Sequence, residues 1–253
     1  MKPKAAILFT SGTNCDYETA LAFNLAGGSS EIVLTKELKS KKLKDYQVII
    51  IPGGFSYGDH FGSATIWANE LKTVFQDRVS KFIDEGKLVL GVCNGFQVLV
   101  KLGFLPNTLK RNDPESVLAN NSSGKFESRW VKVKVNAKSP LVFTKDIDIL
   151  DMPVAHGEGN FMPKDIKTFG EMIKNNQIVL QYVDNSGFTT SEYPRNPSGS
   201  FAAIAGICDT TGRVFGLMPH PERFIFPNQN IKSYRQNAVT GLSIYKNAVD
   251  YFK

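Results

Sequence analysis

The first part of the chain alternates between short apolar runs and amphipathic segments, and this alternation constrains the fold more than any other feature. Each apolar run has the length of a strand, and each amphipathic segment repeats apolar residues at helical spacing. The predicted strands are 5–10, 31–35, 48–51 and 88–90, and the predicted helices are 16–26, 61–75, 79–83 and 96–102. Strands that alternate with helices of this length form βαβ units. We therefore expect an α/β protein with a mostly parallel sheet.

The second half of the chain has a different pattern. Residues 107–125 are rich in Asn, Asp, Ser, Pro and Gly, which is typical of a loop. From Phe126 onward, apolar residues such as Val131 and Val133 alternate with polar ones, which predicts a half-exposed, antiparallel strand. Further predicted elements are strands at 178–183, 201–208 and 214–218 and a C-terminal helix over 239–252.

Composition limits the kinds of protein that the chain can be. The 253 residues contain no repeat and no linker, so we expect a single domain over 1–253. No apolar run approaches the roughly 18 residues of a membrane span, and three widely spaced cysteines predict reduced thiols in the cytoplasm. The net charge of +6 is scattered, apart from a basic run at 36–44. That run lacks interleaved aromatic residues, which favours a solvated face over a nucleic-acid site and leaves an acidic partner surface open.

Cys93 lies where the predicted strand 88–90 turns into the predicted helix 96–102. We expect the strand to stop at Gly91, and Gly91 and Gly95 let the backbone pass closely on either side of the turn. This is the arrangement of a nucleophile elbow, with sulfur in place of the more usual serine. A helix N-terminus also stabilises a thiolate, which is the reactive form of cysteine. On this pattern alone, a catalytic thiol and a buried thiol that packs as a small apolar residue are equally good interpretations.

His220 is the natural partner for such a thiol, because it ends a predicted strand between two prolines that stiffen the backbone. Glu222, two residues later, can accept a hydrogen bond from the second ring nitrogen. A cysteine, a base and an orienting carboxylate make a complete nucleophilic set. A lone histidine at a strand end is more often structural, but a His-x-Glu pair opposite an elbow favours catalysis. Of the other cysteines, Cys208 lies in an apolar run and belongs to the core, whereas the role of Cys15 stays open.

The segment 52–59 follows a predicted strand and exposes backbone amides around Gly53 and Gly54. Three interpretations of this segment are open: a plain glycine-rich turn, a phosphate cradle or an oxyanion hole. A nucleotide loop is not supported, because Asp59 and His60 stand where a P-loop needs Lys and Ser or Thr. The chain has no dinucleotide fingerprint and no zinc-ligand spacing, so we expect it to hold no cofactor and no metal.

Taken together, these motifs resemble those of the class I (triad-type) glutamine amidotransferases. The resemblance rests on Gly91-x-Cys93-x-Gly95-x-Gln97, on Pro52-Gly53-Gly54 and on His220-Pro221-Glu222. Further stretches resemble the members of that family that act in purine synthesis, namely 12–16, 52–59, 126–130, 156–159 and 218–223. The resemblance covers nearly the whole chain. It implies an open, flavodoxin-like twisted sheet with helices on both faces.

The resemblance also implies a role for each matching residue. Cys93 is expected to attack the carboxamide of glutamine and form a γ-glutamyl thioester. His220 is expected to act as base and then as acid, with Glu222 orienting it. The other implied residues are Gly54 and Asn94, whose amides face the oxyanion, Gln97 and Gly53, which hold the substrate, and the loop at His156, which lies near the pocket rim or a partner subunit.

A partner follows from the same resemblance. Ammonia is expected to pass to a separate synthetase subunit, which uses ATP and Mg²⁺ to convert formylglycinamide ribonucleotide to formylglycinamidine ribonucleotide. A small third subunit usually accompanies a separate glutaminase chain. The segments 60–69 and 224–230 depart from the family pattern, and we expect them to affect docking or the pocket entrance.

Three other interpretations stay open. The chain could be an amidotransferase subunit of another synthetase, a Cys–His hydrolase of similar fold, or a non-catalytic subunit that keeps the fold. The stretches 126–130 and 156–159 disfavour the first, Gln97 and Glu222 disfavour the second, and the intact triad disfavours the third.

Overall fold

Strands and helices alternate through the first half of the chain, as its apolar pattern predicts. The computed structural model describes residues 2–109, 111–231 and 239–253. The strands are β1 (Lys4–Phe9), β2 (Ser29–Leu34), β3 (Val48–Ile51), β4 (Leu88–Val92), β5 (Ser116–Ala119), β6 (Glu127–Val135), β7 (Ile149–His156), β8 (Asn160–Pro163), β9 (Ile178–Tyr182), β10 (Ile204–Cys208) and β11 (Val214–Leu217). The helices are α1 (Asp16–Leu25), α2 (Thr65–Val74), α3 (Ser80–Asp84), α4 (Asn94–Lys101), α5 (Ile166–Lys174) and α6 (Leu242–Asp250). None of the helices in these ranges is long and apolar enough to cross a membrane.

Within the described ranges, nine strands form one sheet in the order β2-β1-β3-β4-β11-β10-β9-β6-β7. Neighbouring strands are parallel from β2 to β11 and antiparallel from β11 to β7. β5 and β8 form a separate antiparallel pair. The predicted α/β class is confirmed, with its parallel sheet and the antiparallel strands of the second half.

Helices cover both faces of this sheet. The connection from β1 to β2 runs toward one edge, and the connection from β3 to β4 runs toward the other. Because such crossovers are right-handed, α1 and α2 lie on opposite faces. α6 packs beside α1, while α4 packs beside α2 and against β3, β4 and β11. The strands β3 and β4 are therefore buried along their whole length, at the centre of one continuous apolar core.

The β6–β7 hairpin lies at one edge of the sheet but bends back, so that β7 contacts the turn after β11 near the centre of the sheet. β7 is the last strand in the sheet order, yet the Pro153 carbonyl accepts a hydrogen bond from the His220 amide at 2.8 Å, just beyond β11. The Trp130 ring on β6 stands edge-on against Phe224 at 5.2 Å. The hairpin therefore forms a wall beside the carboxyl ends of β4 and β11, which is where parallel sheets carry their sites.

The helix predicted over 61–75 begins later than its apolar spacing suggests. α2 starts only at Thr65, because residues just before it have positive φ angles that an α-helix does not contain, namely Phe61, Gly62 and Ala64. A π-helical turn, Phe75–Val79, then joins α2 to α3. The predicted helices 61–75 and 79–83 are thus parts of one nearly continuous helical stretch.

Other predicted boundaries also differ from the structure. The strand predicted at 88–90 does not stop at Gly91 but continues through it to the end of β4. The segment 107–125, predicted as a loop, contains β5, which is held by its pairing with β8. The strand predicted at 201–208 begins later, because Phe201–Ala203 form a 3-10 turn.

The sequence patterns missed β7, β8 and α5. β7 contains Pro153, which is tolerated because β7 is an edge strand. β8 is only four residues long and has no clear alternation. For α5 a signal exists, because the Asp165 side chain caps the helix by accepting a hydrogen bond from the Thr168 amide at 2.7 Å.

Candidate active site

Cys93 lies between β4 and α4, on the turn that the sequence predicts as a nucleophile elbow. Its backbone has φ +50° and ψ −103°, a conformation that is rare and costly for a residue with a side chain. The Cys93 amide donates to the Leu217 carbonyl at 2.8 Å, and the Cys93 carbonyl accepts from the Gln97 amide at 3.1 Å. These two bonds hold the strained turn and place the thiol at the ends of β4 and β11.

Gly95 allows this elbow to pack directly on the neighbouring strand. A Cβ atom at position 95 would lie 1.9 Å from the Ile51 carbonyl oxygen, at the end of β3. Because that neighbour is backbone, no side chain can be accommodated there without moving β3 or α4. The sequence predicts that the backbone passes closely beside the turn at Cys93, and this contact confirms it at Gly95.

His220 and Glu222 form a buried pair directly after β11. His220 Nδ1 and Glu222 Oε1 are 2.6 Å apart, and both side chains are almost fully buried. Burial lowers the pKa of His220, but the Glu222 carboxylate and the Cys93 sulfur outweigh burial and raise that pKa well above its ordinary value. In the neutral ring the proton lies on Nδ1 toward Glu222, so Nε2 carries the lone pair. Within the described residues Nε2 has no hydrogen-bond partner, which leaves it free to serve as a base.

The glycine-rich segment after β3 lies against His220. A Cβ atom on Gly53 would lie 2.6 Å from His220 Cε1. Farther along the segment, the Ser56 amide donates to Asn94 Oδ1 at 3.3 Å. Asn94 itself opens α4, where the amides of the first turn have no acceptor inside the helix. Of the three interpretations of segment 52–59, this position favours an oxyanion hole over a plain turn or a phosphate cradle.

Gln97 links α4 to the loop after β7. Its Oε1 atom accepts from Asn94 Nδ2 at 3.0 Å, and its Nε2 atom donates to the Glu158 carbonyl at 2.7 Å. The Glu158 carboxylate in turn accepts from the Ser63 amide at 3.2 Å. Gln97 therefore braces two loops beside Cys93, and its direct contact with substrate stays a prediction. No local pattern in the sequence indicates this bracing role of Glu158 and Ser63.

His156 is a buried, neutral histidine in the wall beside Cys93. Cys93 Sγ lies 3.7 Å from the carbonyl oxygen of Ala155, the residue before His156. Asn121 Nδ2 donates to the His156 carbonyl at 2.8 Å, which leaves Asn121 Oδ1 to accept from His156 Nδ1 at 3.0 Å. Burial lowers the pKa of His156 to about 3. The residue thus lies inside the wall rather than on an exposed rim.

Lowering the pH from 7 to 5 should cost the protein roughly 2 kcal/mol of folding free energy through His156 alone. The unfolded histidine takes up a proton near its ordinary pKa, whereas the folded one does so only near pH 3, so stability falls as the pH drops between those values. Denaturant unfolding at the two pH values measures this in the wild type and in His156→Asn. Asparagine keeps a donor for Asn121 but does not titrate, so the variant should lose less stability. Equal losses in both proteins would contradict the assignment.

Cys15, whose role the sequence leaves open, lies behind His220 on the Nδ1 side. Its Sγ atom is 3.9 Å from His220 Nδ1 and accepts a hydrogen bond from Arg223 Nη2 at 3.1 Å. The loop that carries Cys15 also supports the glycine-rich segment, because Thr13 and Gly54 form an isolated antiparallel bridge. Cys15 is therefore part of the packing that holds His220 and Gly54 in place.

Cys15, His220 and Glu222 place their ligand atoms within 4.8 Å of one another, which is a donor set of the kind that binds metals. A metal would need the deprotonated thiol, but burial raises the pKa of the Cys15 thiol to about 12. The Arg223 guanidinium against the sulfur adds a competing positive charge. The set therefore fits a metal poorly, and the expectation of no metal in this chain stays a prediction.

Comparison with known families identifies the class that this site defines. Residues 2–252 match the family model described as the CobB/CobQ-like glutamine amidotransferase domain. The chain therefore belongs to the class I glutamine amidotransferases, as its motifs predict.

Within that class, the chain groups with subunits of one particular enzyme. It is 45% identical to the phosphoribosylformylglycinamidine synthase subunit PurQ of Methanococcus maripaludis strain S2, over 99% of this chain and 97% of the relative. It is 43% identical to the same subunit of Dehalococcoides mccartyi, over 99% of this chain and 98% of the relative. The solved structure of PurLQS from Thermotoga maritima has a chain that superposes with a TM-score of 0.76 at 31% identity, covering 100% of both chains.

Proposed function

We propose that the chain is the glutaminase subunit of phosphoribosylformylglycinamidine synthase, which releases ammonia from L-glutamine for a synthetase partner. In de novo purine biosynthesis this enzyme converts formylglycinamide ribonucleotide to formylglycinamidine ribonucleotide. The observation that carries the proposal is the buried His220–Glu222 pair beside Cys93 on its elbow. It occurs in a chain that is related to PurQ subunits over its whole length.

The first half of the reaction transfers the glutamyl group to Cys93. His220 Nε2 takes the proton of the Cys93 thiol, a transfer that the raised pKa of His220 favours, and the sulfur then attacks the carboxamide carbon to form a tetrahedral intermediate. The amides of Gly54 and Asn94 face its oxyanion, and each such donor typically lowers the barrier by about 2.7–4 kcal/mol. His220 then gives its proton to the leaving nitrogen. Ammonia departs, and a γ-glutamyl thioester on Cys93 remains.

The second half of the reaction returns the enzyme to its starting state. His220 Nε2 removes a proton from water, which attacks the thioester carbon. The resulting intermediate expels the Cys93 sulfur, which regains the proton from His220 as glutamate leaves. Glu222 holds Nδ1 throughout and so stabilises the imidazolium and the correct tautomer. Gly53, against the ring, and Gln97, which braces the wall, shape the pocket that holds glutamine.

The released ammonia is consumed in a separate synthetase subunit. The Thermotoga maritima neighbour is a structure of PurLQS rather than of PurQ alone, which supports a corresponding complex here with a synthetase and a small third subunit. ATP and Mg²⁺ act in the synthetase, and this chain needs no cofactor of its own. We place the complex in the cytoplasm, in keeping with the free thiols of Cys15, Cys93 and Cys208.

Glutamine labelled with ¹⁵N at its amide tests this proposal. With the synthetase partner, ATP and formylglycinamide ribonucleotide present, we expect the label to enter formylglycinamidine ribonucleotide, with glutamate formed in equal amount. Glutamine hydrolysis without transfer of the label would indicate an amidotransferase subunit of another synthetase. No glutamine hydrolysis in the presence of the partner would indicate a hydrolase that acts on a different substrate.

A further inference from the structure

Glu222 is the buried end of the proposed triad, and its second carboxylate oxygen has a partner of its own. Oε1 lies 2.6 Å from His220 Nδ1, whereas Oε2 lies 3.4 Å from the Tyr245 hydroxyl. Glu222 is only 1% exposed, so bulk water does not solvate either oxygen. A buried carboxylate without partners is costly and is free to rotate about its last bond. The Tyr245 hydroxyl is placed to limit that rotation.

Tyr245 is fixed well enough to orient its neighbour. Its side chain is fully buried, and burial raises its pKa well above the ordinary value, so the hydroxyl keeps its proton. Tyr245 lies in the first turn of α6, which starts against the turn that carries Glu222. The Gly241 amide donates to the Phe224 carbonyl at 2.7 Å, and a Cβ atom at position 241 would lie 2.2 Å from the Pro221 carbonyl oxygen. This contact sets the position of α6 relative to Glu222.

Arg223, the charged residue next to Glu222 in sequence, forms its hydrogen bonds with other residues. Arg223 donates from Nε to Glu18 Oε1 at 2.7 Å and from Nη2 to Cys15 Sγ at 3.1 Å. The guanidinium therefore points toward α1 and the loop before it. Among the residues that the structure describes, the hydrogen bonds of the Glu222 carboxylate go to His220 and Tyr245.

We infer that Tyr245 is a positioning residue whose hydroxyl orients the Glu222 carboxylate, so that Glu222 holds His220 with Nε2 free to act on Cys93. The inference rests on the proposed glutaminase function. The distance of 3.4 Å is long for a bond between a hydroxyl and a carboxylate, which fits an orienting contact rather than a strong one. Through Tyr245, α6 thereby helps to position the His220–Glu222 pair.

Tyr245→Phe removes the hydroxyl and keeps the ring. We expect kcat for glutamine hydrolysis in the complex to fall roughly three- to tenfold, the scale of one lost hydrogen bond, with KM unchanged. The plot of kcat against pH has a limb that reflects the protonation of His220. This limb should also move to lower pH, because a loosely held carboxylate raises the pKa of His220 less. The other titratable groups around that ring stay the same in the variant, namely Cys93, Cys15 and His156.

A double-mutant cycle determines whether Tyr245 acts through Glu222. In the Glu222→Gln background, Tyr245→Phe should cause no further fall in kcat. Tyr251→Phe, at the exposed residue that directly follows α6, is the control and should leave kcat and its pH dependence unchanged. An equal fall in both backgrounds, or a fall in kcat without movement of the limb, would overturn the inference. A wild-type complex that releases no glutamate from glutamine would instead overturn the proposed function.

Discussion

Replacing Cys93 with serine is expected to abolish glutamine-dependent amination by the complex and to spare ammonia-dependent amination. A hydroxyl is a far weaker nucleophile than a thiolate, and loss of a nucleophile that works with a base costs about a thousandfold or more in rate. Ammonia supplied in solution needs no release from glutamine, so the synthetase subunit can still use it. The measurement compares product formed from glutamine and from an ammonium salt, with the wild-type chain and with the variant.

Cys208→Ser is the matched control for this substitution. Cys208 is a buried thiol on β10, 3.6 Å from the Ser139 hydroxyl and outside the proposed triad. The Cys208→Ser variant should keep both glutamine-dependent and ammonia-dependent amination. This result would separate the effect of losing the nucleophile from the effect of losing a buried thiol. If Cys93→Ser lost both activities, or kept both, the proposed division of labour between glutaminase and synthetase would be wrong.

Replacing Gly53 with alanine is expected to lower glutamine hydrolysis about a hundredfold while the protein stays folded. The new methyl group would lie 2.6 Å from His220 Cε1 and 3.2 Å from Cys15 Sγ, so the His220 ring has to move. A misplacement of about 1 Å in a catalytic group costs on the order of a hundredfold in rate. Glutamate release by the complex measures the loss, and circular dichroism checks the fold.

Gly170→Ala is the control for the added methyl group. Gly170 lies inside α5, and a Cβ atom there meets no atom within 4 Å apart from its chain neighbours and the backbone of its own helix. Alanine should stabilise the helix by roughly 0.5–1 kcal/mol and leave glutamine hydrolysis unchanged. Wild-type activity in Gly53→Ala would mean that His220 can shift without consequence, which contradicts the tight packing that we assign to the site.

Local patterns predicted the parts of the site that are close in sequence. The turn at Cys93 and the His220–Glu222 pair each depend on residues a few positions apart, so apolar periodicity and turn chemistry reveal them. The parallel strands follow in the same way from their alternation with helices. These patterns could not separate a catalytic Cys93 from a structural one, because either residue fits a strand–turn–helix. The family resemblance and the observed position of His220 favour the catalytic interpretation, which stays a prediction.

The wall of the site could not be predicted in this way. β7 lies at the opposite edge of the sheet from β2, and only the return of the β6–β7 hairpin brings Ala155 within 3.7 Å of Cys93, 62 residues away. The contact between Tyr245 and Glu222 likewise depends on how α6 packs against the turn after β11. Such contacts are products of tertiary packing, about which the local spacing of apolar residues carries no information.

Covalent trapping tests most directly the central claim, that Cys93 is the nucleophile that attacks glutamine. The complex would be treated with a diazo-ketone analogue of glutamine, with and without excess glutamine, and the labelled peptide identified by mass spectrometry. We predict one adduct, on Cys93, whose formation glutamine suppresses. An adduct on another residue, or an adduct on Cys93 that glutamine does not suppress, would contradict the account.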